Sequence, residues 1–247
     1  AFIMETEKNA IIALPGVPRE MEHLMTNKVI PYLRKRFALS GVIKARVIHT
    51  AGFGESQIDE IIEDLEQGSN PTVGLAAHAG AVDVRITAKA SSEAEALALI
   101  APVEAEVNKR LSEWIVGTAQ ETLEGAALAN IGDKNWKLVV VESGLGGGLT
   151  QRLVNAEGPF LGGDVLPEMP NMEELHNICQ DYLESRGAEA CLGVSLKHGE
   201  EKQNLNLVLL SPIKERTLSR SYGGPPQMAT QWAVNLCLDF IRRLKTE

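Results

Sequence analysis

Aromatic rings are scarce in this chain. Five Phe, three Trp and three Tyr make 4% of 247 residues. A core must therefore close through Leu, Ile, Val and Ala. Cysteine is scarcer still: Cys179, Cys191 and Cys237, an odd count with no C-x-x-C and no Cys/His cluster. That argues against a disulfide framework or a structural metal and for a reducing, cytoplasmic setting. Cys191 and Cys237 stand in apolar runs, where buried, inert thiols are expected. No apolar run reaches the roughly 20 residues of a membrane-spanning helix. There is no signal-peptide pattern. Ala1 leads straight into strand-like sequence without an initiator Met, which suggests a fragment of a longer chain. Basic residues are also in deficit, 24 Lys and Arg against 33 Asp and Glu, a net charge of −9. Nucleic acid and anionic membrane surfaces are thereby disfavoured as partners. A small anion held by local dipoles is not.

What is present reads as alternating strands and helices. Residues 7–14 read as a buried strand, followed by the Pro15-Gly16-Val17-Pro18 turn, whose last proline suits a helix start. Met21, Leu24, Met25, Val29, Tyr32 and Leu33 then recur at helical spacing up to about Phe37, and Ser40-Gly41 breaks the pattern. The next section predicts a strand (42–51), a helix to about Leu65 with Ser56 and Asp59 as a capping pair, and two strands (72–77, 81–88). A long alanine-rich helix follows, opened by a Ser92/Glu95 capping box and reaching about Leu111. That is a β-α-β-β-α module. Gly117 to Glu121 marks a boundary. Beyond it come a helix (122–132), a strand (136–141), a glycine-rich loop, a helix (147–155) and a strand (160–166). A helix (171–186), three strands (189–196, 204–211, 216–222) and a final helix (226–245) complete the chain. Such alternation predicts an α/β layer domain.

The stretch carrying most chemical promise is VVVESGLGGGLTQRL, Val139 to Leu153. A strand feeding a glycine-rich turn at a helix start points N–H donors at one place, where the helix dipole favours an anion. Ser143 and Thr150 add hydroxyls. Glycines that simply permit a tight strand–helix junction account for the same pattern. It is neither G-x-G-x-x-G with its acidic partner nor a phosphate-binding loop ending in Lys-Ser/Thr. The middle module has the element order of a KH domain but no G-x-x-G loop. From Ser40 to Thr118 it carries six Lys/Arg and twelve Asp/Glu, so a spacer or dimerisation role is expected rather than RNA binding. Of the histidines, His23, His49, His78, His176 and His198, none pairs at metal-binding spacing. His23 and His176 read as solvated helix residues. His78 and His198 lie in predicted turns.

Taken together, LPGVPREMEHLM, the GFGES turn, VDVRITA and ESGLGGGLTQRL resemble the CinA competence/damage-inducible family over essentially the whole chain. The resemblance implies three parts: the tail of a molybdopterin-binding-like α/β domain (1–39), a small α+β KH-type linker module (40–118) and a C-terminal α/β/α layered domain (119–247). It implies a pyrophosphatase on nucleotide substrates in the part preceding residue 1. Active C-terminal domains of the family hydrolyse nicotinamide mononucleotide (NMN) to nicotinate mononucleotide and ammonia. The family's E-S-C-T-G-G appears here as Glu142-Ser143-Gly144-Leu145-Gly146-Gly147. Its nucleophilic serine, in a Gly-x-Ser before F-x-G-G, has no counterpart in Gly158-Pro159-Phe160-Leu161-Gly162-Gly163. The family's Tyr and Lys fall near Pro167 and Met172, which cannot act as bases. A T-G-I-A-G-P-x-G-G segment is reduced to Val194–Gly199, where Ser195 keeps a hydroxyl. The phosphate-binding Arg is missing from Gly223–Met228, although Arg220 lies just before it.

The resemblance thus implies an amidohydrolase scaffold without its catalytic set. The expected protein is a binding or regulatory module, homo-oligomeric, with no cofactor and no metal. The expected ligand is a small phosphorylated nucleotide contacting Glu142, Ser143, Gly146, Gly147, Gly148 and Ser195. The alternative is an active amidohydrolase with Ser143 as replacement nucleophile or oxyanion contact and Lys197 or His198 as base.

Overall fold

The computed structural model describes residues 1–39, 41–118 and 121–245. Ser40 of the expected helix-ending pair, and Ala119 and Gln120 of the expected boundary, lie outside them. The chain divides into two compact units, 1–44 with 89–98, and 45–88 with 99–247.

The first unit opens with a hairpin. Strand β1 (Phe2–Glu5) pairs antiparallel with β2 (Ala10–Ala13), Phe2 opposite Ala13. The strand-like sequence after Ala1 is β1, and the buried strand expected over 7–14 is the shorter β2, which buries none of its residues because the hairpin is covered on neither strand. The expected single helix is three pieces: α1 (Pro18–Leu24), a π-helical stretch (Met25–Val29) and α2 (Ile30–Arg36). Pro31 has no N–H with which to continue the α-helical ladder. Just before it the turn widens, and the Asn27 amide donates to the His23 carbonyl at 2.9 Å. Arg36 ties the helix back to the hairpin loop by donating to the carbonyls of Thr6 and Glu7.

Strand β3 (Val42–Ala51), α3 (Glu55–Glu66), β4 (Thr72–His78), β5 (Ala81–Ala90), α4 (Glu93–Arg110) and β6 (Ile115–Thr118) follow. Their four strands form one sheet in the order β4-β5-β3-β6. Helix α3 buries Ile58 and Ile62, one turn apart. Its cap differs from the expected Ser56/Asp59 pair: Gly54 is the N-cap, and its N–H donates to the Gln57 side chain. At α4 the Ser92/Glu95 box forms, with Glu95 reaching back to the N–H of Ser91. Arg110, at the end of α4, donates to the Ile61 carbonyl and both Asp64 oxygens of α3, and to Glu106. Strand β6 was not anticipated. Its four residues are too few for alternation to register, and its pairing with β3 is irregular at His49/Thr50.

The last part is α5 (Leu123–Gly132), β7 (Leu138–Ser143), α6 (Gly148–Val154), β8 (Phe160–Leu166), α7 (Met172–Arg186), β9 (Ala190–His198), β10 (Gln203–Leu210), β11 (Arg216–Tyr222) and α8 (Ala229–Arg242). The sheet order is β11-β10-β9-β7-β8. Strand β7 runs parallel to β8 and β9; β9, β10 and β11 are antiparallel neighbours. Every residue of β7 is buried, as a central strand covered on both faces requires. Its alternate residues go to opposite layers. Leu138 and Val140 pack with α5, α6 and α8, the last supplying Ala233, Cys237 and Ile241, spaced by helical turns. Val139 and Val141 pack with Leu175 and Cys179 of α7. This is the α/β/α layering the sequence predicted. All three cysteines are free and buried.

Candidate functional site

The chain leaves β7 through α6 to β8 on one side, then returns through α7 to β9 on the other. The carboxyl end of β7 is therefore a topological switch point, where parallel α/β sheets open a crevice. Ser143 ends β7 there, level with Leu166 of β8 and Ser195 of β9. The loop after it turns through Gly144 (φ 77°), Gly146 (φ 63°) and Gly147 (φ 84°) into α6 at Gly148. Gly144 has no room for a side chain. A Cβ there would lie 2.0 Å from the Leu196 carbonyl oxygen, so the cysteine at this place in the family motif does not fit this backbone.

Of the predicted contact residues, three are buried polar groups: Glu142, Ser143 and Ser195. Glu142 sends its carboxylate to the start of α6, where Oε2 accepts from Leu149 N at 3.2 Å and Oε1 from Thr150 N at 3.0 Å. The anion at this helix start is thus the protein's own. Ser143 Oγ donates to the Glu168 carbonyl at 2.5 Å and lies 3.1 Å from Met169 Sδ. The proposed bases lie elsewhere. Lys197 is exposed. His198 Nε2 is 3.2 Å from the Gly144 carbonyl, and its Nδ1 is 3.1 Å from Gln203 Oε1. Gly146 is exposed with open space around it, while Gly144, Gly147 and Gly148 are half-buried. Beside this crevice is a hollow of ≈ 450 Å³ lined by Met169, Pro170, Glu174, Asn177 and Ile178. Arg220 lies on β11, opposite Leu205 of β10.

Burial acts on the thiols. A hydrogen-bonded Cys179 neighbour and burial together push the Cys191 thiol far above the ordinary range. Burial, helped by the charge of Glu142, pushes Cys237 well up.

Sequence spacing did not show a second polar group. His49 Nδ1 is 2.6 Å from Asp83 Oδ1 and His78 Nε2 is 3.1 Å from Asp83 Oδ2, so one carboxylate orients both imidazoles. They line a cavity of ≈ 570 Å³ with Glu124, Arg152 and Asn235. Residues 49, 78 and 83 are separated in sequence and meet through strand register, which no short motif encodes. Among the described residues no group of His, Cys, Asp or Glu is arranged to hold a metal ion. No described helix is long and apolar enough to cross a membrane.

An α/β/α domain with a glycine-looped switch point, preceded by a four-stranded α+β module, defines the class of protein. Residues 45–117 match the KH domain of damage-inducible CinA proteins. The chain is 40% identical to a competence-damage inducible protein of Clostridium botulinum across 98% of its own length and 66% of that relative's. It is 42% identical to one of Clostridium perfringens across 98% and 59%. It is 36% identical to one of Moorella thermoacetica across 75% and 45%. The chain belongs to the CinA family of competence/damage-inducible proteins, and spans 45–66% of the length of these relatives. A solved CinA-superfamily protein of Escherichia coli overlays 50% of the chain and 91% of itself, with a TM-score of 0.44 and 15% identity.

Proposed function

We propose that this CinA-family chain carries an amidohydrolase-type scaffold that no longer hydrolyses amides, and that it serves as a binding or regulatory module. The observation that carries this reading is the state of Ser143. Its hydroxyl is fully buried, committed to the Glu168 carbonyl and set against the Met169 thioether. A nucleophilic hydroxyl needs a base within hydrogen-bond reach. Here its partners are a carbonyl, which cannot accept a proton for catalysis, and a thioether. Glu142 further supports the reading, because it occupies the α6 N–H donors that a substrate oxyanion would use. The ligand we assign to the loop is a small phosphorylated nucleotide approaching from the open side at Gly146. We place the protein in the cytoplasm as a homo-oligomer, with the KH-type module a spacer or dimerisation element.

The test is to incubate the purified protein with NMN and follow ammonia and nicotinate mononucleotide by mass spectrometry, with Ser143→Ala as control. No turnover at high protein concentration is expected. Turnover that disappears in Ser143→Ala would overturn the proposal and assign a rebuilt serine site instead.

A further inference from the structure

In a chain of net charge −9, one concavity gathers cations. A cavity of ≈ 620 Å³ beside the end of α8 is lined by Lys134, Arg216, Arg242, Arg243 and Lys245, with Glu113 as its one acidic side chain. These five come from three places in the sequence, the turn after α5, the start of β11 and the end of α8, so no basic run announces them.

Counting partners shows that the positive charge is under-compensated. Asp239, buried, serves two guanidiniums: Arg242 Nη2 is 2.6 Å from its Oδ1, and Arg243 Nε is 2.9 Å from its Oδ2. Arg242 otherwise donates to the carbonyls of Ile115 and Glu113. Arg216 donates to the Phe240 carbonyl at 3.1 Å and stacks on the Phe240 ring at 4.1 Å. Among the described residues it has no carboxylate at ion-pair distance. Among the described residues Lys134 bonds only the backbone and side-chain oxygens of Asn130. Lys245 is exposed and has no ion-pair partner among the described residues. The carboxyl end of α8 supplies about half a negative charge, enough to offset part of one cation and no more. Burial pulls the Arg216 pKa down, and the neighbouring Arg243 adds to this while the charge of Asp239 opposes it.

We propose that this cavity is a binding site for a phosphoryl anion, separate from the crevice at the end of β7. Guanidinium forks match tetrahedral oxyanions in two-point contacts, and lysines add point charge. The ring of Phe240 holds the face of Arg216, so its fork is ordered before the ligand arrives. The cavity is larger than one tetrahedral oxyanion fills, which favours a pyrophosphate-sized group.

Isothermal titration with inorganic pyrophosphate at about 0.15 M chloride, where surface charge is largely screened, tests this. The wild-type protein should bind one equivalent, and sulfate should bind at least about tenfold more weakly. Arg216→Gln, and separately the double change Lys134→Gln with Lys245→Gln, should each weaken binding by about tenfold or more. The lysine pair touches no buried carboxylate and keeps the fold testable should Arg216→Gln unfold. Ser143→Ala should bind like wild type, since it lies in the other site. Absence of binding at about 5 mM pyrophosphate, a far weaker affinity than a specific site gives, would overturn the proposal. So would unchanged affinity in the lysine pair.

Discussion

At Gly144 two constraints coincide: a left-handed backbone (φ 77°) and a Cβ position 2.0 Å from a carbonyl oxygen. Either alone strains an L side chain. Gly144→Ala should therefore lose about 2 kcal/mol or more of stability, read from urea unfolding midpoints. Glu142 is the complementary case. Replacing it by Gln leaves one acceptor oxygen where two N–H groups now bond two carboxylate oxygens. Glu142→Gln should cost roughly 1–3 kcal/mol by the same measurement, because a buried donor goes unpaired. The thiols give a third expectation. Cys179, Cys191 and Cys237 are free and buried, and in Cys191 and Cys237 the thiol is held in its protonated form. A thiol reagent should label none of the three in native protein and all three in denaturant. Labelling of native protein would mean that the β9–α7 or α8 packing opens.

Between elements, Arg110 acts as a clamp. It is bonded to Asp64 of α3 and to Glu106 of its own helix, and these bonds hold both carboxyls below their ordinary values of 3.8 and 4.5. A carboxyl whose pKa is depressed on folding binds fewer protons in the native state than in the unfolded one. Its contribution is thus complete above about pH 4.5 and is lost as pH falls through the depressed values. Unfolding midpoints of the wild type should drop as pH falls below about 4.5, and Arg110→Met should flatten that drop. An identical slope in the variant would mean that other carboxyls govern acid unfolding. Both carboxyls face solvent, so the effect on the slope is modest.

At the scale of a whole compact unit, the opening hairpin presents apolar side chains on its surface. Phe2, Met4 and Ile11 of the hairpin are 58%, 56% and 59% exposed. Contiguous apolar exposure of this kind marks contact surfaces. Multi-angle light scattering should report the proposed homo-oligomer, and Met4→Ser with Ile11→Ser should shift it toward smaller species. A wild-type monomer at all concentrations would remove oligomerisation from the proposal.

Periodicity and turn chemistry were enough to locate most helices and strands. The unbroken apolar run at the start of β7 follows from burying both faces, and the helical spacing of α8 from burying one. The same local rules missed β6, whose four residues are too few for alternation to register, and the π-helical turn before Pro31. The glycine loop was legible as a strand–helix junction, because positive φ selects glycine. Its contents were not. That Glu142 folds back onto α6, that Met169 lies against Ser143, and that Asp83 joins His49 to His78 depend on strand register and on what packs above it. Five cations scattered over more than a hundred positions become one cavity only when α5, β11 and α8 meet. Sequence alone determined most of the elements and the family, because backbone conformation and burial are local or periodic. Only the tertiary structure decided which polar groups face one another, because those distances are set by packing between segments far apart in the chain.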